Sequence, residues 1–327
     1  MNVIVIGLGS MGKRRISLLN EFEGISISGI DSNAARRTET SEKFGISTYE
    51  SIKDAVASEK PDSAFVCTSP IHHGEIINEC LKCDLNVFTE INLVSDRYEE
   101  NIRLAKEKGK VLFLSSTFLY RFENREIIKK VSEYNEKFNY LFHVGQYLPD
   151  WHPWENFKDF FVGDKRTNGC RELFAIELPW VVTCFGEIDS VSVMKDNITS
   201  LGLGYSDNYM VQIKHKNGNK GVFAVDVASR RPTRRIEVMS ENVYMTWNGT
   251  PDTLYDYDIS AKKDVKITPE TKQDHRSEYA EMITEIPYKE EINAFIKCVN
   301  GDKEAMKWDF EKDLAVLDVI DKIEGLK

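Results

Sequence analysis

The sequence predicts two domains of different class: an α/β, doubly wound parallel sheet over residues 1–120, then an α+β domain with an open-faced, mainly antiparallel sheet over residues 121–327. Three observations carry this. Short apolar runs alternate with amphipathic stretches through the first third of the chain. Past residue 120 that alternation stops, and strands follow one another without helices between them. The length, 327 residues, also exceeds the roughly 250–300 that a single core organises.

In the first domain the apolar runs are NVIVI (2–6), ISISGI (25–30), SAFVC (63–67), NVF (86–88) and KVLFLS (110–115). They are nearly continuous, as strands buried on both faces should be. Helical stretches at 11–21, 33–43, 73–83 and 96–107 supply the crossovers that parallel pairing needs. In the second domain a helix at 123–134 leads to a strand at 139–147. An aromatic segment, QYLPDWHPWENFKDFF (146–161), and a buried helix at 170–185 follow. Strands come next at 187–195, 208–215, 220–229, 234–240 and 243–247, with NG hairpin signals at 217–218 and 248–249. Amphipathic helices at 277–299 and 309–324 close the chain. The handover between domains falls near 117–122.

Composition excludes several classes. The chain holds 43 Lys and Arg against 53 Asp and Glu, a net charge of −10, which disfavours nucleic acid or an anionic membrane as main partner. With 41% hydrophobic and 29% charged residues it reads as a globular protein. No apolar run approaches the ~18 residues of a membrane span, and the first residues lack the layout of a secretion signal. Six cysteines are too sparse for a disulfide scaffold, and the Cys80–Cys83 pair has no second pair at zinc spacing. A cytoplasmic protein without a metal is the expectation.

The strongest motif is VIVIGLGSMGKRR (3–15). Gly7, Gly9 and Gly12 form GxGxxG where a strand passes into a helix. The spacing suits a tight turn at Gly7, approach of a pyrophosphate to the backbone at Gly9, and close helix–strand packing at Gly12. Ser10 and Met11 open the helix whose free N–H groups would face the phosphates. Asp31 ends the second strand, about 20 residues beyond the motif, where a carboxylate accepts hydrogen bonds from ribose hydroxyls. It would repel a 2′-phosphate, so NAD is favoured; Ser32, Arg36 and Arg37 keep NADP as the alternative. Asp31→Ala is expected to weaken NAD binding and to leave folding almost untouched.

The chain resembles the glucose–fructose oxidoreductase, inositol dehydrogenase and rhizopine-catabolism family, Gfo/Idh/MocA, almost end to end. The resemblance rests on GLGSMG with Asp31, CTSPIHHGEII (67–77), NVFTEINL (86–93), Tyr120–Arg121–Phe122, NGCRELFAIELPWVVTCFGEI (168–188) and EEINAFIKCV (290–299). It implies a Rossmann domain followed by an open-sheet domain, and NAD(P)-dependent hydride transfer on sugars, cyclitols or related polyols. It also implies homodimers or homotetramers built on the second sheet. Thr68, Ser69, Pro70 and His73 would edge the cofactor, with helix capping as the other reading of His73, and Glu90 would lie near the nicotinamide ribose.

The resemblance breaks at the acid/base positions. Glu90-Ile91-Asn92 stands where the family has Glu-Lys-Pro. On the substrate helix the family's Asp, His and further acid correspond to Glu172, Ile176 and Pro179. Hydride transfer from a carbinol needs a proton acceptor for its oxygen. The candidate catalytic residues are therefore Glu172, His152 of the aromatic loop and Tyr120 at the domain junction; Tyr147 and Glu177 are weaker candidates. Trp151, Trp154 and Trp180 offer faces for a sugar ring or pack in the core. Arg121, Arg171 and the cluster Arg230, Arg231, Arg234, Arg235 either hold an anionic substrate, such as a sugar acid or nucleotide sugar, or pair with acids across the sheet. The expectation is an oxidoreductase on a sugar or sugar-derived substrate. The competing readings are a non-catalytic nucleotide-bound sensor or assembly subunit, and a lyase or epimerase with transient oxidation.

Overall fold

The computed structural model describes residues 1–327 except 152, 154, 155 and 270–283. Two compact units result: Met1–Ser116 with Lys289–Leu314, and Thr117–Tyr288 with Ala315–Lys327.

The first unit is built on β1 (Asn2–Ile6), α1 (Ser10–Leu19), β2 (Ser26–Ile30), α2 (Ala34–Phe44), β3 (Thr48–Tyr49), α3 (Ile52–Glu59), β4 (Ser63–Val66), α4 (His73–Lys82), β5 (Asn86–Thr89), α5 (Tyr98–Lys108) and β6 (Leu112–Leu114). All strands are parallel, in the order β3-β2-β1-β4-β5-β6. This is the doubly wound sheet, with its switch point between β1 and β4. Both are buried along almost their whole length, as their unbroken apolar runs require. Caps set the helix ends: Asn33 Oδ1 accepts from the N–H groups of Ala35 and Arg36, and α2 stops at Gly45 with φ +67. The β3–α3 pair was not expected from the sequence. Its strand is two residues long, too short to show a period, although Ser51 caps α3 by accepting from Asp54 N–H.

The second unit contains α6 (Phe122–Ser132), β7 (Asn139–Gly145), α7 (Gly169–Phe185), β8 (Ile188–Asp196), β9 (Asn208–His215), β10 (Lys220–Asp226), β11 (Thr233–Met239), β12 (Tyr244–Trp247), β13 (Leu254–Asp258) and β14 (Lys263–Lys266). Its eight strands run β14-β13-β12-β11-β7-β10-β9-β8. Among the described residues, only β7 and β10 pair in parallel. The sequence reading stops at β12: β13 mixes tyrosines with aspartates and is only half-buried, and β14 is largely polar and exposed, so neither shows an apolar run. Alternation of buried and exposed residues along β9 and β10 gives the sheet one inward face. Against it lies α7, whose Phe174 meets Tyr209 and Phe223, while Trp180 meets Phe142. The other face leaves Leu141, Met194, Met210 and Val222 exposed.

Two helices close the chain, α8 (Ile286–Val299) and α9 (Phe310–Glu324). The expected start of the first, at 277, lies outside the described residues. The contiguous split at residue 120 does not account for segment 289–314, which belongs to the first unit. The reason is packing. Phe65, Phe88 and Phe113 stack across β4, β5 and β6 at 4.5 and 5.3 Å, and Phe295 of α8 meets all three edge-on at 5.2–5.8 Å. No helix among the described residues is long and apolar enough to cross a membrane.

Candidate active site

The glycine turn is shaped by backbone contact. A Cβ on Gly12 would lie 1.9 Å from the Gly7 carbonyl oxygen, and one on Gly7, at φ +92, would lie 2.8 Å from the Cys67 carbonyl oxygen. Neither position accepts a side chain. Gly9 differs: its Cβ would meet nothing within 4 Å. The turn thus keeps open space beside the N-terminus of α1, where Ser10 is exposed and Met11 half-buried.

Asp31 faces the same turn. Its Oδ2 accepts from Leu8 N–H at 2.8 Å and its Oδ1 from Asn33 N–H at 2.8 Å. Each oxygen keeps a lone pair for a ribose hydroxyl. Arg36 lies 3.8 Å from Asp31 and is exposed, whereas Arg37 is turned back onto the carbonyls of Asp31 and Ser32. The expectation that Asp31 is dispensable for folding needs correction, because the carboxylate is a structural acceptor of the turn.

At the end of β4, Thr68 packs against Gly7, and its hydroxyl is buried without a partner. Ser69 precedes Pro70, which is buried and opens a short 3-10 turn. His73 is buried. Its Nε2 donates to the Thr68 carbonyl at 2.9 Å, and its Nδ1 lies 2.7 Å from the Asn92 side-chain amide. Burial holds the ring below its ordinary pKa. The Asn92 atom facing Nδ1 is Oδ1, and the Thr89 hydroxyl lies 3.3 Å from the same ring nitrogen. His73 therefore fixes the Thr68 loop to the end of β5. Glu90 is gripped by Arg15, whose Nε donates at 2.6 Å and Nη2 at 3.1 Å.

Arg15 and Glu291 are components that the sequence reading missed. Arg15 is fully buried; its Nη2 also donates to Glu291 at 2.9 Å. Glu291 accepts from Ser116 N–H at 2.6 Å, and burial raises its pKa in spite of Arg15. The available signal was position: an arginine three residues after Gly12, in a helix that must bury one face on a parallel sheet.

In the second unit, Asn168 caps α7 by accepting from Arg171 N–H at 2.8 Å. Glu172 follows in the first turn. Its Oε2 is buried with no hydrogen-bond partner, and burial pushes its carboxyl up to about 8. One turn on, Ile176 is half-buried and apolar. Tyr120 is buried. His152 and Trp154 lie outside the described residues. The Trp151 indole donates to the Gln146 carbonyl at 3.1 Å, with the ring edge beside Gly169. Trp180 is core, its indole donating to Glu177 at 2.7 Å.

Arg121 and Arg171 require correction as substrate ligands. Arg121 is buried over the Trp247 ring, donating to Glu123 at 2.8 Å and to the Gly249 carbonyl at 2.8 Å. Arg171 is buried against Asp321, at 2.7 Å, and Glu324. Both guanidiniums hold the unit together. No cluster of three metal-ligating side chains occurs among the described residues, and the cysteines are free.

Residues 1–116 match a family model, GFO_IDH_MocA, described as an oxidoreductase family with an NAD-binding Rossmann fold. The first unit is accordingly the NAD-binding domain of an oxidoreductase. The match covers the first unit alone, and over that unit the chain is similar to the Gfo/Idh/MocA family. Among solved structures, similar folds include UDP-N-acetylglucosamine 3-dehydrogenase from Acidithiobacillus ferrooxidans, at TM-score 0.77 and 15% identity, covering 99% of this chain and 96% of that one. The WlbA dehydrogenase from Bordetella pertussis, in complex with NADH and UDP-GlcNAcA, gives TM-score 0.79 and 14% identity over 98% and 94%. Biliverdin reductase from Synechocystis sp. PCC 6803, in complex with biliverdin and NADP+, gives 0.75 and 16% over 98% and 97%. These likenesses establish the fold, not the substrate. No curated protein sequence matches.

Removing the Asp31 carboxylate should act twice. Asp31→Ala strands two N–H groups, costing roughly 1–3 kcal/mol of stability, and weakens NAD binding about tenfold or more. Melting curves and calorimetry check this; unchanged NAD affinity would refute the ribose assignment. Glu172 sets a second expectation. Its folded-state pKa, about 8, lies above the ordinary 4.5. It therefore contributes stability that is complete below pH 4.5 and is lost as pH rises through 8, roughly 3–5 kcal/mol in all. Glu172→Gln should gain melting temperature over the wild type as pH rises from 5 to 9. Asp313, pushed up to about 6 by burial, titrates in both proteins and cancels.

Proposed function

We propose that the protein transfers hydride between a nicotinamide dinucleotide and a hydroxyl-bearing carbon, or the corresponding ketone, of a sugar or sugar-derived substrate. Glu172 serves as the proton-transfer group. Bound NAD supplies the hydride acceptor or, reduced, the donor. Gly7, Gly9 and Gly12 leave room for its diphosphate, and the first turn of α1 offers N–H groups to that charge. Asp31 holds the adenosine ribose. Thr68 offers an unused buried hydroxyl beside the turn, and His73 keeps that loop in place. Arg15 orients Glu90 at the end of β5, on the β4-β5-β6 half of the sheet that takes the nicotinamide in this topology.

The observation that carries the reading is the buried, unpartnered Oε2 of the Glu172 carboxyl on α7. The positions that the family resemblance links to Lys and His are Ile91 and Ile176, neither of which can move a proton. Among the candidate proton-transfer groups, Glu172 combines a family functional position with a buried, unpartnered carboxyl oxygen. Near neutral pH it is protonated and suited to protonating a carbonyl oxygen during reduction; above pH 8 it is a base suited to oxidation. The UDP-sugar enzymes among the structural neighbours support a sugar substrate. The apolar Ile91 and Ile176 favour a second reading, a nucleotide-bound sensor without turnover. Self-association belongs on the outward face of the second sheet, where Leu141, Val222, Met210 and Met194 are exposed.

The test is the absorbance of reduced nicotinamide during incubation with NAD+ and a panel of free, acidic, phosphorylated and nucleotide-linked sugars. At least one should be oxidised, faster as pH rises through 8, and Glu172→Gln should lower the rate by about 10²–10⁴-fold. Tight NAD binding with no turnover on any member would establish the sensor reading instead.

A further inference from the structure

The arginines of the second unit divide sharply by partner. Arg121 is held by Glu123, and Arg171 by Asp321 and Glu324. Arg234 donates to Glu177 at 2.7 Å, and Arg235 pairs with Glu237. Arg230 and Arg231, on the loop between β10 and β11, are exposed and pair with no carboxylate among the described residues. In a chain of net charge −10, two adjacent unneutralised guanidiniums are out of keeping with their surroundings.

The loop that carries them is built. Asp226 Oδ1 accepts from the N–H groups of Ala228 and Ser229, at 2.9 and 2.6 Å, and Oδ2 from the Ser229 hydroxyl at 3.0 Å. Hydrogen bonds from Tyr147 N–H to Ser229 and from Leu148 N–H to Val227, at 2.7 and 3.0 Å, bind the loop to the chain leaving β7. Arg230 lies over the Tyr147 ring, its central carbon 3.5 Å from the ring centre. Stacking fixes the plane of the guanidinium and leaves its N–H edge free for a planar, two-point acceptor. Asp150 stands on the adjoining turn without an ion pair to either arginine.

The position is also informative. A Cβ on Gly169, the first residue of α7, would lie 3.0 Å from Val227 and 3.1 Å from Leu148, the residues at the root of this loop pair. Glu172 is three residues on. We propose that Arg230 and Arg231, with Tyr147 as platform, form a subsite for the oxyanion of an anionic sugar substrate, a phosphate or a carboxylate carried away from the reacting carbon. This rests on the oxidoreductase reading above and narrows its substrate class.

Calorimetric titration of the NAD+-loaded protein with UDP-N-acetylglucosamine, glucose 6-phosphate, glucuronate and uncharged glucose tests it. The first two arms carry phosphate and the third carboxylate. At least one anionic sugar should bind, more weakly as salt is raised. Arg231→Gln, which removes no internal contact, should weaken it about tenfold or more, and the pair Arg230→Gln with Arg231→Gln further. NAD+ affinity should be unchanged in both variants, and melting temperature unchanged in Arg231→Gln. The subsite is overturned if no anionic sugar binds, if those that bind do so equally well to the variants, or if only uncharged sugars are oxidised. Failure of the wild type to bind NAD+ would remove the oxidoreductase reading itself, and this subsite with it.

Discussion

Contact between the backbone of α1 and the carbonyl of Gly7 is the constraint from which the nucleotide site follows. Because no Cβ fits at Gly12, the helix starts hard against the end of β1, and its free N–H groups point into the space left clear beside Gly9. Asp31 closes the arrangement from the next strand by accepting from Leu8 N–H inside the turn. One carboxylate therefore braces the loop and presents acceptors to a ribose. The site costs little in side chains, since three glycines and a strand-end acid do most of the shaping.

Charge placement accounts for much of the remaining architecture. Arg15 is buried whole and satisfied by two carboxylates from distant parts of the chain, Glu90 and Glu291. Removing Arg15 would leave two carboxylates facing each other in the interior without a counter-charge, the most expensive kind of local defect. That is a physical reason for α8 to return to the first sheet, beside the packing of Phe295. In the second unit Arg121, Arg171 and Arg234 are likewise committed to internal acids. The contrast gives meaning to the two arginines that are not.

The parallel sheet was legible because β1, β4 and β5 are buried on both faces, so that burial is written as unbroken apolar runs. The glycine motif and Asp31 were legible because backbone sterics permit few residues there. Elements that depend on long-range pairing were not: β3 borrows its conformation from β2, and β13 and β14 extend a sheet edge with polar residues. The sequence leaves Arg121 and Arg171 open because an arginine fork suits a substrate anion and an internal carboxylate equally well, and only packing decides. Arg15 and Glu291 escaped notice because their partners lie 75 and 276 residues apart in the chain. Glu172 was found through its position in a family pattern; its missing partner and raised pKa are properties of burial that no local stretch of sequence encodes.

The central claim, that the space beside Gly9 receives a dinucleotide, is tested most directly by calorimetric titration of wild type and Gly9→Val with NAD+. A Cβ at this position meets no atom of the protein within 4 Å, and Gly9 has an ordinary φ of −75. The account predicts that the wild type binds NAD+ and that the variant melts at the same temperature yet has lost the affinity. Equal affinity in the two proteins, or no binding by the wild type, would contradict it.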